Sequence, residues 1–256
     1  MADLDDQHFK EQLSLWEKAS SSGDPKFTIA YLDAFPTGFY SQLAEVRLDQ
    51  LLAAQGEKKL VIPSSANNPF TKGMVSGVME YSVGDAYSYS RKDSLTGIEE
   101  NAFTQKVTKV TDSEITFNNG RQVIDIMGND LISPNERFLS PAQFYPAEYV
   151  LGNKWITRYA WKKGDGVDSS VEMEFKIIGR EKMETPAGRF NAFVIDGMGY
   201  VLGGSKFEMR YWIDPETCNR PIWFDRVSKN RKQGKVRMST RDELVSFHQK
   251  KSAKKS

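Results

Sequence analysis

The chain has 256 residues, of which 39% are hydrophobic and 27% charged, and a formal net charge of +1. This composition suits one large globular domain, or a small domain joined to a larger one, and excludes a mainly disordered chain. No run approaches the roughly 18 apolar residues of a membrane-spanning helix, and the single Cys218 excludes an intramolecular disulfide. The opening residues Met1 to Asp6 are acidic and lack an apolar stretch. No secretory leader is visible in them, which implies a cytoplasmic protein or a periplasmic or envelope protein whose leader has been removed.

Residues 1–56 read as about three helices. Phe9, Leu13 and Trp16 recur at helical spacing. Asp24-Pro25 is an N-cap followed by a residue suited to the first helical position, which starts a second helix carrying Phe27, Ala30, Tyr31 and Ala34. A third helix places Leu43, Arg47 and Leu51 four residues apart and stops at Gly56. Across the second and third helices, the stretch YLDAFPTGFYSQLAEVRLDQLL resembles a short tetratricopeptide-like helical repeat unit of bacterial proteins, found beside caspase-like and envelope-associated domains. Tyr31-Leu32, Phe35-Pro36, Gly38, Leu43-Ala44, Arg47-Leu48 and Leu51 carry that resemblance. It implies a helix pair for packing or protein contact; Arg47 inside it reads as a structural cap or ion pair, and Phe39 and Tyr40 are partner-binding candidates in an expected exposed apolar patch. One such unit buries little by itself, because repeats stack on neighbours. It is therefore expected to pack on the rest of the chain or on a partner.

Two prolines, two glycines and a Ser-Asn cluster mark residues 57–79 as a linker. Residues 80–248 then alternate apolar and polar positions with the period of half-buried strands. YSVGDAYSY (81–89) is echoed 68 residues later by YVLGNKWITRY (149–159), and the same offset aligns Gly120-Arg121 with Gly188-Arg189. This predicts an internally duplicated antiparallel β half-barrel or roll of about eight to ten strands, so the fold class is α+β. Gly97 and Gly164-Asp165-Gly166 are expected turns, and Gly120 and Gly188 are expected at positive φ in hairpins. The glycine-rich DGMGYVLGG (196–204) reads as turn chemistry.

The later stretch GREKMETPAGRFNAFVI, with RYWIDPETCNRPI after it, resembles a family of bacterial envelope-associated antiparallel β proteins of unknown function. Thr185-Pro186-Ala187-Gly188, Phe190, Phe193, Tyr211-Trp212 and Asp214-Pro215 carry the match. Members are often exported, and their half-barrel is similar to lipid-binding carriers of the bacterial envelope. The family supplies no catalytic residues.

Catalytic chemistry finds little support in the residues. Only His8 and His248 exist, one near each terminus, so no nucleophile–histidine pair and no zinc site is expected. No phosphate-binding glycine loop and no nucleophile elbow occurs, so no cofactor is implied. Glu172, Glu174, Glu208 and Asp214 are the carboxylates that a hydrolase would need to face across a cleft. The strand KFEMRYWID is the best ligand-facing candidate: Met209 and Tyr211 share one face, and Arg210 and Trp212 the other. Arg210 beside Trp212 could hold a carboxylate or phosphate, with Trp155 as a further lining residue.

From Arg226 onward, eleven Lys or Arg meet only Asp242 and Glu243. The hairpin RVSKNRKQGKVR lacks the aromatic interleaving of a single-strand nucleic-acid platform and reads as a solvated turn, and the tail 249–256 as a disordered basic terminus. The expected function is non-catalytic: protein-partner binding or scaffolding through the helical unit and β domain. The alternatives are a carrier of an apolar or amphipathic small molecule and, third, a carboxylate-dependent hydrolase.

Overall fold

The computed structural model describes residues 2–56, 75–134, 136–163, 168–201, 205–230 and 234–250. It divides into two compact units, residues 1–74 and 75–256. Most of the expected linker, residues 57–74, and the tail from 251 onward lie outside the described residues, as does the Gly164-Asp165-Gly166 turn.

The first unit is three helices, α1 (Ala2–Ser21), α2 (Pro25–Ala34) and α3 (Ser41–Ala54). The Asp24 side chain accepts a hydrogen bond from the Lys26 amide at 3.0 Å, and Pro25 takes the first helical position. Gly56 ends α3 at φ 86°, a left-handed conformation that glycine adopts without cost. Phe9, Trp16, Tyr31, Tyr40 and Leu43 are buried, and Trp16 stacks on Tyr40 at 5.8 Å. Among them lies the buried Gln12, whose Oε1 accepts from the Phe39 amide at 2.8 Å and from the Tyr31 hydroxyl at 3.3 Å. A Cβ on Gly38 would stand 2.5 Å from that same oxygen, so this loop position requires glycine. Arg47 donates to the Ser22 carbonyl at 3.3 Å and ties α3 to the end of α1.

The second unit is built from fourteen short and long strands among the described residues. They are β1 (Val75–Ser76), β2 (Ala86–Asp93), β3 (Glu99–Val110), β4 (Glu114–Phe117), β5 (Gln122–Asp125), β6 (Asp130–Ser133), β7 (Glu136–Phe138) and β8 (Glu148–Tyr149), then β9 (Lys154–Lys163), β10 (Asp168–Thr185), β11 (Gly188–Val201), β12 (Ser205–Ile213), β13 (Trp223–Asn230) and β14 (Val236–His248). All pairings are antiparallel. β1 and β8 pair only with each other; the other twelve follow chain order round a closed ring. β14 pairs with β2 from Thr240 opposite Asp93 to His248 opposite Ala86. The expected half-barrel of eight to ten strands is thus a closed twelve-stranded barrel. Closure satisfies the edge amides and carbonyls that an open sheet leaves exposed. The miscount comes from β4 to β7, each of three or four residues, too short to show a period in the sequence. No helix among the described residues is long and apolar enough to cross a membrane.

The echoed phrases do similar local work. Gly84 (φ 101°) and Gly152 (φ 85°) each turn the chain into a long strand, β2 and β9, and Gly120 and Gly188 are likewise at positive φ. The equivalence stops at pairing. Tyr87 faces Gln105, so a 68-residue offset would set Trp155 against Met173; Trp155 instead faces Phe175. β3 turns back at residues 111–113, whereas β10 continues to Thr185 past a bulge at Ile177 and Gly179. The ring is one continuous sheet, and the echoed phrases match in their turns but not in their pairing.

Candidate ligand-binding cavity

Alternation along the long strands separates inside from outside. On β11, Ile195, Gly197 and Gly199 are buried while Met198 and Tyr200 are exposed. The two glycines are not a turn: a Cβ on Gly197 would lie 2.2 Å from the Phe175 ring, and one on Gly199 would lie 2.5 Å from Met173 Cγ. Phe175 and Met173 on β10 thus occupy the inward space opposite these rungs, and Trp155 stacks on Phe175 at 5.4 Å.

Eight strands make a ring that its own side chains fill; twelve make a wider one. Part of this interior is filled by the segment between β7 and β8. Ser140, Ala142, Gln143 and Tyr145 are all buried. Such a buried loop needs partners for its peptide groups. Gln143 N donates to Thr157 Oγ1 at 3.0 Å, the Trp155 indole donates to the Gln143 carbonyl at 2.9 Å, and Tyr145 N donates to Asn129 Oδ1 at 2.9 Å. The Tyr211 hydroxyl donates to the Phe144 carbonyl. Asn129 is itself held by Asp125, whose carboxyl accepts from three N–H groups of Met127 and Asn129 and is pushed up to about 6 by burial.

What the plug leaves is a cavity of about 890 Å³, within the size range of small-molecule sites. Its apolar wall includes Phe138, Phe144, Trp161, Met209, Tyr211 and Phe224. Four arginines (91, 121, 220 and 226) and three acids (Asp130, Glu136 and Asp242) also line it. The charged centre is Asp242, with a side chain 8% exposed. Arg91 clasps it with Nε at 2.6 Å and Nη2 at 2.8 Å, and Arg226 adds Nη2 at 3.0 Å. The Arg226 guanidinium lies 5.0 Å from the Phe224 ring centre, and burial lowers its proton affinity. Deeper, Arg220 donates to Gln105, which donates to Gln122, which donates to Asp130. Burial raises the Asp130 carboxyl, against the opposing pull of Arg220.

Of the candidates named from sequence, Met209 and Tyr211 line this cavity. Trp155 is not in its lining and packs on Phe175. Arg210 and Trp212 lie on the opposite face: Arg210 is exposed and clasps Asp196 on β11, and the Trp212 indole donates to Glu181 under the Arg241 guanidinium. Phe39 is half-buried against Phe9 at 5.8 Å, and Tyr40 is fully buried, so neither presents a free ring to a partner. Glu172 and Glu174 are exposed on the outer face, Glu208 pairs there with Lys206 and Lys229, and Asp214 caps the Asn191 amide. Burial pushes the Cys218 thiol up to about 12, which keeps it protonated. Among the described residues no three His, Cys, Asp or Glu side chains cluster as a metal site. Sequence reading missed Arg226, Asp242 and Arg91. The local residues around Arg226 read as a solvated basic hairpin; its in-register position beside Met209 is a property of the ladder, not of those residues.

The chain matches no family model and no curated protein. Among solved structures it is similar to a candidate exported protein with a YmcC-like fold from Bacteroides fragilis, at 13% identity and a TM-score of 0.42 over 68% of this chain and all of that one. A candidate lipoprotein from Parabacteroides distasonis gives 11% and 0.43, over 68% of this chain and 99% of that one. The hypothetical lipoprotein YmcC of Escherichia coli gives 10% and 0.36, over 67% and 88%. Each is a remote likeness.

Proposed function

We propose that the barrel is a non-catalytic binding protein that holds an apolar or amphipathic small molecule in its interior. The observation that carries this reading is the cavity of about 890 Å³, walled by aromatic and methionine side chains and floored by a hydrogen-bonded plug. Burying apolar ligand surface against such a wall is worth about 25 cal/mol per Å² before the costs of association. None of the carboxylates considered for hydrolysis, Glu172, Glu174, Glu208 and Asp214, lines this cavity. Native mass spectrometry of the purified full chain tests the reading. An added mass that organic extraction removes is the expected result, together with uptake of dodecanol by the extracted protein. Met209→Trp, which places a larger ring in the cavity, is expected to abolish that uptake with the fold intact. A bare chain that takes up no twelve-carbon amphiphile, neutral or charged, overturns the reading.

A second reading, partner binding through the helical unit, is favoured by Phe27 and Ile29, which stand 49% and 42% exposed on α2. It is the role suggested by the resemblance to helical repeats. Phe27→Ser is expected to abolish capture of a specific partner while Phe39→Ser leaves capture in place.

A further inference from the structure

We infer that the molecule held in the barrel carries an anionic head, a carboxylate or a phosphate, seated on Arg226. This rests on the binding reading above and adds the chemical class of the ligand. Two guanidinium groups, Arg91 and Arg226, share the single carboxylate of Asp242. Locally one positive charge is left over. Asp130 and Glu136 act on Arg226 only from a distance, and Asp130 is already hydrogen-bonded by Gln122.

Arginine offers five N–H donors. Among the described residues Arg226 makes one hydrogen bond, to Asp242, and its Nε is buried with no partner. Yet the side chain lines the cavity with 26% of its surface accessible, so a ligand can reach the guanidinium where bulk solvent cannot dilute its charge. The Trp161 ring lines the same cavity. Unmet donors and a surplus cation inside a protein are costly. An anion on the cavity side of Arg226 balances the surplus charge, and the planar guanidinium suits a carboxylate or phosphate. The aromatic wall beyond Phe224 then takes the apolar part of the same molecule.

Four probes of equal chain length test this by calorimetry on the extracted full chain below their micelle concentrations: dodecanoate, dodecyl phosphate, dodecanol and dodecyltrimethylammonium. One or both anions are expected to bind at least about tenfold tighter than dodecanol, equivalent to 1.4 kcal/mol, and the cation weakest. A lead for dodecanoate assigns a carboxylate head, and a lead for dodecyl phosphate a phosphate head. Arg226→Met is expected to erase the preference while dodecanol still binds; Arg226→Lys, which keeps the charge, is expected to retain part of it should the Met variant fail to fold. Arg210→Met leaves it unchanged. Equal binding of dodecanol and the anions overturns the anionic head and leaves interior binding standing. Binding of none of the four overturns both.

Discussion

Arg210 on β12 and Arg226 on β13 each hold an aspartate, one on the outside of the barrel and the other within. Arg210 sits opposite Asp225 in the ladder, and the next residue, Arg226, sits opposite Met209. One step along the strand therefore moves a guanidinium from solvent to the cavity. Outside, Arg210 and Asp196 are 49% and 39% exposed, and water screens their attraction. Inside, Asp242 is almost fully buried and serves two arginines in a medium of lower polarity. The same kind of ion pair is thus solvent-screened on one face and buried beside the cavity on the other. The outer wall carries more of the former: Lys92 with Glu243, and Arg241 with Asp225.

The contrast between faces can be broken most severely at the aromatic core. Phe175→Ala removes a fully buried ring stacked on Trp155 and is expected to cost about 3–5 kcal/mol. Met198→Ala on the facing outer rung is expected to stay within about 0.5 kcal/mol. Urea denaturation followed by tryptophan fluorescence measures both; similar losses would remove the inside–outside distinction.

The paired aspartates sharpen it further. Losing one partner of a buried ion pair costs about 3–5 kcal/mol, and the partial exposure of Arg91 and Arg226 to the cavity lowers the expectation for Asp242→Ala to about 2–3 kcal/mol. Asp196→Ala, which releases only the exposed Arg210, is expected to cost under about 1 kcal/mol.

A smaller effect follows from Asp125, whose carboxyl burial pushes up from 3.8 to about 6. Between those values the folded chain binds more protons than the unfolded one, so this group contributes stability at low pH that is lost as pH rises through about 6. The barrel is expected to gain about 1 kcal/mol from this residue between pH 7 and pH 5. Asp125→Asn should lack that increment in unfolding curves recorded at the two pH values; an unchanged difference would place the proton elsewhere. The smallest effect is expected from Arg210→Met, within about 0.5 kcal/mol by thermal unfolding.

Some of this was legible before any fold was known. Asp24-Pro25, Gly56, Gly97, Gly120 and Gly188 mark real caps and turns, because these backbone conformations depend on the residue at the position itself. The period-2 alternation correctly put Met209 and Tyr211 on one face and Arg210 and Trp212 on the other. Which face is the interior could not be read from that pattern, since both carry apolar and charged residues, and the arginine beside a tryptophan drew attention to the outer one. Gly197 and Gly199 illustrate the same limit: read locally they suggest a turn, whereas their role is to admit Phe175 and Met173 from another strand.

By itself the sequence determined the helices, most of the long strands and the turns between them, all set by interactions within a few residues. Only the tertiary structure decided that β14 closes on β2, that the segment before β8 fills part of the interior, and that Arg91, Arg226 and Asp242 meet. Those outcomes depend on contacts between residues as far apart in the chain as Ala86 and His248, where closure and register select the partner and local composition carries no trace of it.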